Sequence, residues 1–203
     1  VRTVLDGKYN YSYADGDQHY QWSPDSKWFL AKYIAVGGWN NTDIVLVKAD
    51  GSGEMTNLTE SGYSDNNAKW VLDGKAMIWS SDRAGYRSHG SWGAQSDVYI
   101  MFFDGEAYDK FRLSKEEQAL LDEEKQDQKS DTDKGKDKDA KKDKDKDKDK
   151  NKDKKEEPTV EPLKFDLANR KDRIMRLTVN SSFLGDAVLT PKGDKLYYCC
   201  LLY

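Results

Sequence analysis

No stretch of about 18 apolar residues occurs in this 203-residue chain, so the sequence offers no membrane-spanning helix. Cysteine is nearly absent: Cys199 and Cys200 are the only two, and they are adjacent. Successive strand side chains point to opposite faces, so the pair reads as two unpaired, partly buried thiols that say nothing of redox compartment. Histidine is equally scarce, with His19 and His89 alone, and no Gly-x-Ser-x-Gly nucleophile elbow is present. A triad is made by geometry, and neither histidine has a sequence context that argues for one. His19 reads as packed at a strand end and His89 as part of an exposed loop. An excess of one charge is lacking too. The 33 Lys and Arg are nearly matched by 37 Asp and Glu, leaving a net charge of −4. No basic field argues for nucleic acid.

What the chain has is aromatic side chains and a repeat. Twelve Tyr and six Trp suit β-sheet surfaces, where large flat groups pack well. One copy of the repeat runs Trp22-Ser23-Pro24-Asp25-Ser26-Lys27-Trp28, then Asp43-Ile44-Val45-Leu46-Val47, Asp50-Gly51 and Asn57-Leu58-Thr59. A second runs Trp70-Val71-Leu72-Asp73-Gly74-Lys75, then Asp97-Val98-Tyr99-Ile100-Met101, Asp104-Gly105 and Phe111-Arg112-Leu113-Ser114. A third opens at Thr190-Pro191-Lys192-Gly193-Asp194-Lys195. Trp22 and Trp70 lie 48 residues apart, the length of one four-stranded propeller unit. Such a unit cannot bury its faces alone, and about 4–8 are needed to close a ring. The chain therefore reads as an excerpt of a longer protein.

The pattern predicts strands over His19–Trp22, Trp28–Ala35, Asp43–Val47 and Glu54–Thr59 in the first unit. In the second it predicts Ala68–Val71, Ala76–Ser80, Asp97–Phe103 and Tyr108–Leu113. Tyr9, Tyr11 and Tyr13 alternate as the face of an earlier strand. Ser114-Lys115-Glu116-Glu117 is a capping box that starts a short helix. From about Lys125 to Glu157 the chain is almost only Lys, Asp and Glu with a few small polar residues. It has too little apolar surface to offset chain entropy and is expected to be disordered. Asp143-Lys144-Asp145-Lys146-Asp147 only superficially resembles a calcium loop, since the glycine and glutamate such a loop needs are missing. Beyond it, Leu163–Leu167 and Arg173–Thr178 are expected to pair, and Ala187–Leu189 to begin another unit. The expected organisation is 1–113 as four-stranded units, 114–160 as helix and charged insert, and 161–203 as the start of further units.

Trp22-Ser23-Pro24-Asp25, Leu72-Asp73-Gly74-Lys75 and Thr190-Pro191-Lys192-Gly193 resemble the W-S-P-D-G-K hairpin of the TolB-type (WD40-like, PD40) β-propeller repeat. Asp43–Val47 and Asp97–Met101 resemble its D-I-Y-V-M strand. Asp25 is followed by Ser26 instead of glycine, and Val71-Leu72 replaces Ser-Pro in the second copy. More narrowly, Trp79-Ser80-Ser81-Asp82-Arg83-Ala84-Gly85-Tyr86-Arg87, with Phe165-Asp166-Leu167 and Asp172–Thr178, resembles the propeller region of tricorn-type serine peptidases of the S41 class. That resemblance implies an all-β fragment of four-stranded antiparallel blades that gates or guides peptides toward a downstream catalytic domain. It implies no catalytic residue, no metal and no cofactor in this chain, and a periplasmic or secreted setting. Peptides or a protein partner are the implied ligands, with oligomerisation of the longer protein left open. A TolB-like envelope scaffold without enzymatic activity is the alternative.

In the second unit the connection between the second and third strands, Asp82–Ser96, is longer than in the first, and long loops on a rigid sheet carry function. Arg83 and Arg87 form a candidate fork for a peptide carboxylate. Tyr86 and Trp92 offer stacking surfaces beside it. The competing reading has Arg83 bracing its own sheet and Trp92 filling a gap between sheets. Asp25, Asp73, Asp43 and Asp97 recur at equivalent positions, which argues for a structural task in each unit rather than for a metal site.

Overall fold

The computed structural model describes residues 3–10, 18–35, 40–88, 93–121, 123 and 161–201. The chain divides into two units: Val1–Tyr108 with Val160–Tyr203, and Asp109–Thr159.

The first unit is mostly β. Strands β1 (Tyr20–Trp22), β2 (Trp28–Tyr33), β3 (Asp43–Lys48) and β4 (Met55–Asn57) form an antiparallel sheet in chain order. Strands β5 (Asp65–Val71), β6 (Ala76–Ser81), β7 (Asp97–Phe102) and β8 (Ile174–Arg176) form a second sheet of the same order. A hairpin of β9 (Phe183–Leu189) and β10 (Leu196–Leu201) follows. β3 and β7 are nearly wholly apolar and almost every residue in them is buried, as expected of strands covered on both faces. Leu30, Ile44 and Leu46 of the first sheet share one core with Met77, Trp79, Tyr99 and Met101 of the second. The opposite face of the first sheet presents Phe29, Ala31, Tyr33, Val45 and Val47.

Local chemistry sets the turns. Ser23 Oγ donates to Asp25 Oδ1 and accepts from Trp28 N, which closes the β1–β2 hairpin. Ser26 takes a positive φ of 56° there, the conformation for which glycine is preferred. In the third copy Thr190 Oγ1 accepts from Lys195 N, the same closure with threonine in place of serine. At Asp50-Gly51 the carboxylate accepts from Ser52 N, and Gly51 (φ 79°) turns the β3–β4 connection.

The second copy departs from the first at this point. Asp104 accepts from Glu106 N and Ala107 N and so caps a helix, α1 (Gly105–Arg112), with Glu106 in its first turn and Lys110 and Arg112 in its last. The strand expected over Tyr108–Leu113 is therefore helical. The fourth strand of the second sheet is β8, which pairs with β7 through Tyr99↔Arg176, Ile100↔Met175 and Met101↔Ile174. The hairpin expected between Leu163–Leu167 and Arg173–Thr178 does not form: 161–167 carries no strand. The charged stretch accordingly interrupts a sheet between neighbouring strands and does not separate an earlier block of strands from a later one. Part of the 161–203 segment completes the second sheet. The strand expected around Tyr9 is a 3-10 turn, Gly7–Tyr9, while Tyr11 and Tyr13 lie outside the described residues.

Chain returning from the charged stretch is anchored at several points. Phe165 packs against Trp28, Trp70 and Phe103, with ring centroids 5.4, 6.0 and 5.2 Å away. Leu163 N donates to Asp25 Oδ2 (2.9 Å). Arg170 donates to the carbonyls of Leu58 and Asn57, reaching across to the first sheet. Arg173 is buried and donates to Phe102 O and Asp166 Oδ2.

In the second unit, Ser114 N donates to Glu117 Oε2 and Glu117 N to Ser114 Oγ, the reciprocal pair expected of the capping box. A helix runs over 115–121. The tract from 124 to 160, with its calcium-loop look-alike, lies outside the described residues. Among the described residues no helix is long and apolar enough to cross a membrane.

Candidate functional site

Antiparallel order brings the start of β3, the start of β5, the end of β6 and the start of β7 to one end of the two sheets. Four buried aspartates collect there: Asp43, Asp65, Asp82 and Asp97. Thr42 links the sheets at this end, since its Oγ1 donates to Asp65 O and its carbonyl accepts from Asp65 N.

Asp43 and Asp97 sit in matching hydrogen-bond sets. Asp43 accepts from Thr59 Oγ1 (3.1 Å), Ser61 N (3.0 Å) and Asn57 Nδ2 (2.8 Å), while Thr59 Oγ1 accepts from Ile44 N. Asp97 accepts from Thr178 Oγ1 (2.7 Å), Ser181 Oγ (2.7 Å) and Arg176 Nη2 (2.8 Å), while Thr178 Oγ1 accepts from Val98 N. Each threonine ties the entry of the third strand to the exit of the fourth. This is the structural task that recurrence of these aspartates implied.

The expected contact loop starts at the same end. Arg83 Nη2 lies 3.3 Å from both oxygens of Asp65, a residue with no exposure, and its Nε donates to Ser81 Oγ (3.0 Å). Its guanidinium stands over the rings of Tyr99 (4.8 Å) and Trp79 (5.5 Å). Ser61 Oγ supplies Asp65 with a further donor (2.6 Å). Arg87 Nε lies 3.1 Å from Asp82 Oδ2, and its guanidinium covers the ring of Tyr63 at 5.0 Å. Ser64 N donates to Asp82 Oδ1 (3.0 Å). The Tyr99 phenol is pushed above its usual value, by burial first and then by the Asp97 charge.

Both arginines thus face inward onto buried carboxylates, so an incoming peptide carboxylate would compete with Asp65 and Asp82 for them. The arrangement is that of a brace across the sheet ends. Tyr86 is 67% exposed and, among the described residues of the expected set, is the one that stands open to solvent. Trp92 and His89 lie outside the described residues. His19 Nε2 is 2.8 Å from Ala68 O, which packs the ring between β1 and β5. Cys199 is exposed, Cys200 is half-buried, and both are free. Among the described residues no group of three or more His, Cys, Asp or Glu is placed to hold a metal ion.

Sequence reasoning missed Asp65, Asp82, Arg176 and Thr178 as members of this end. A signal for Thr178 existed: Leu177-Thr178 repeats Leu58-Thr59. The same signal in weaker form, Leu113-Ser114, lay nearer in sequence and drew the assignment.

Comparison of the chain with protein-family models, with curated proteins and with solved structures finds no match.

Proposed function

We propose that the two sheets are successive blades of a β-propeller of the TolB (PD40) type, and that the chain is a non-catalytic propeller segment of a tricorn-like S41 serine peptidase. In this role it guides peptides toward a catalytic domain elsewhere in a periplasmic or secreted protein. The observation that carries the reading is the repeated lock: Asp43 with Thr59 and Asp97 with Thr178, each joining the third and fourth strands of a four-stranded meander. Two such sheets share a core through facing apolar sides, as neighbouring blades do. A third copy of the hairpin turn begins at Thr190. Apolar side chains left open at both ends of the series, Tyr20 and Trp22 on β1 and Tyr197 and Leu201 on β10, are surfaces that further blades would cover.

The test is the reading frame around this chain, followed by assay of the whole protein. PDZ and peptidase domains downstream, with peptide hydrolysis by the whole protein, are expected. A frame that encodes further blades and no peptidase would favour the TolB-like scaffold instead. Absence of further repeats on both sides would overturn the propeller itself.

A further inference from the structure

The turn from β5 to β6 differs from its two counterparts. In the β1–β2 turn Ser26 alone takes a positive φ, and in the β9–β10 turn Gly193 alone does. In the β5–β6 turn Leu72, Asp73 and Gly74 are left-handed in succession, with φ of 52°, 54° and 84°. That region brings Cβ close to the following carbonyl, and only glycine, asparagine and aspartate visit it readily. Leu72 is therefore held where a leucine does not settle by itself.

The returning chain bears directly on this turn. Leu163 lies on the bare backbone of Gly74: a Cβ at position 74 would stand 2.7 and 2.8 Å from the two methyl carbons of Leu163. Phe165 fills the space between Trp28, Trp70 and Phe103, at the seam of the two sheets. Side chains at 163, 165 and 167 are half-buried and those at 162, 164 and 166 exposed, yet the segment carries no strand. Among the described residues its main chain reaches the sheets through two N–H groups, Leu163 to Asp25 Oδ2 and Asp166 to Phe103 O, at 2.9 Å each. Side-chain packing keeps it in place, not a hydrogen-bonded ladder, and segments so held open before the strands beneath them.

We propose that residues 162–166 form a strap that opens while the two sheets stay folded, and that its seating is coupled to the left-handed form of the β5–β6 turn. Seated, Leu163 packs on Gly74 and fixes the turn. Released, the turn relaxes toward the form of its counterparts, and Trp28, Trp70 and Phe103 face solvent. Strain in the turn favours release, and burial of Leu163 and Phe165 favours seating. The strap thus governs access to an aromatic seam between the sheets. The inference stands on these contacts and does not rest on the propeller reading.

The experiment is native-state amide exchange of the full chain. It is read at Leu163, at Asp166 and at Lys75, whose N–H donates to Leu72 O across the turn, with Ile100 of β7 as the reference. The first three are expected to exchange together, through an opening at least tenfold more populated than the one that frees Ile100. Exchange of all four through one global opening would overturn the proposal, and this arm needs no variant. Coupling is read from Gly74→Ala, made in the parent and beside Leu163→Ala. The substitution carries the cost of a positive φ in both backgrounds but meets a leucine side chain in only one. It is expected to raise opening at Asp166 tenfold or more in the parent and less than threefold beside Leu163→Ala. Equal effects in the two backgrounds would overturn the coupling. The backbone carbon shifts of Leu72 report the sign of its φ. In the double variant Leu163→Ala with Phe165→Ala they are expected to move toward a negative φ. Unchanged shifts would show a turn that is left-handed without the strap and would overturn the coupling equally.

Discussion

Thr178 Oγ1 donates to Asp97 Oδ1 across 81 positions of sequence, and Thr59 Oγ1 makes the same bond to Asp43 Oδ1 across 16. The long bond spans the charged stretch, the short one a simple hairpin, and both close a sheet at the same place. Thr178→Val removes a donor from a fully buried carboxylate and an acceptor from Val98 N, so a loss of about 1–3 kcal/mol is expected. Thr59→Val is expected to cost a similar amount, and Thr178→Ser to restore most of it. Urea denaturation of the full chain measures all three; a valine variant as stable as the parent would dismiss the lock.

Phe165 decides how firmly the returning chain is held. Phe165→Ala opens a gap between Trp28, Trp70 and Phe103 and is expected to cost about 2–4 kcal/mol. Removal of 126–155 is expected to change stability little, because every anchor described lies outside that range and loop length acts logarithmically. After proteolytic cutting within 126–155, the two pieces are expected to co-elute on size exclusion. Phe165→Ala should make them separate at lower denaturant. Separation of the unmodified pieces under native conditions would show that the anchors do not suffice.

Arg83 and Tyr86 separate bracing from contact. Arg83→Ala leaves Asp65 buried without its cation, and a loss of about 3 kcal/mol or more is expected. Tyr86→Ala, at an exposed position, is expected to stay within about 0.5 kcal/mol. In the whole protein, Arg83→Ala with Arg87→Ala is expected to lower the melting temperature. Turnover of free-carboxylate and amidated peptides should then fall equally. A loss confined to the free-carboxylate peptides at unchanged stability would restore the fork reading.

Tyr33 gives a pH signature. Its phenol titrates near 12 in the folded chain and near the ordinary value of 10 when unfolded. The folded state therefore holds the proton more tightly. Its contribution is complete below pH 10 and is lost as pH rises through 10 to 12. Ultraviolet difference titration should show late-ionising tyrosines, Tyr99 as well as Tyr33, and Tyr33→Phe should remove one of them. Stability that does not decline with pH in this window more steeply in the parent than in Tyr33→Phe would refute the shift.

Alternating and wholly apolar strands are local patterns, and β1 to β3, β6 and β7 were legible for that reason. The capping box at Ser114 was equally local. Asp50-Gly51 and Asp104-Gly105 read alike, yet one turns a hairpin and the other caps a helix. What differs is where the partner strand lies. Met55–Asn57 follows its turn immediately, whereas Ile174–Arg176 arrives from beyond the charged stretch. The chain after Asp104 has no free place beside β7 and follows instead the helical spacing of Tyr108 and Arg112.

The candidate site divides along the same line. The recurring aspartates at the strand starts were visible as a repeat, since each copy needs the same closure. The partners of Arg83 and Arg87 were not, because an arginine in a loop is equally able to reach solvent or a carboxylate, whether 18 positions away as for Arg83 or on its own loop as for Arg87. The sequence by itself determined two apolar third strands and the hydroxyl-closed turns at Ser23 and Thr190. Only the tertiary structure decided which segment completes the second sheet and which way the loop arginines face. The first depends on contacts between residues far apart in the chain, and the second on which buried carboxylate the fold presents, so that packing of Phe165 and burial of the Asp65 and Asp97 charges outweigh the preferences of the nearer sequence.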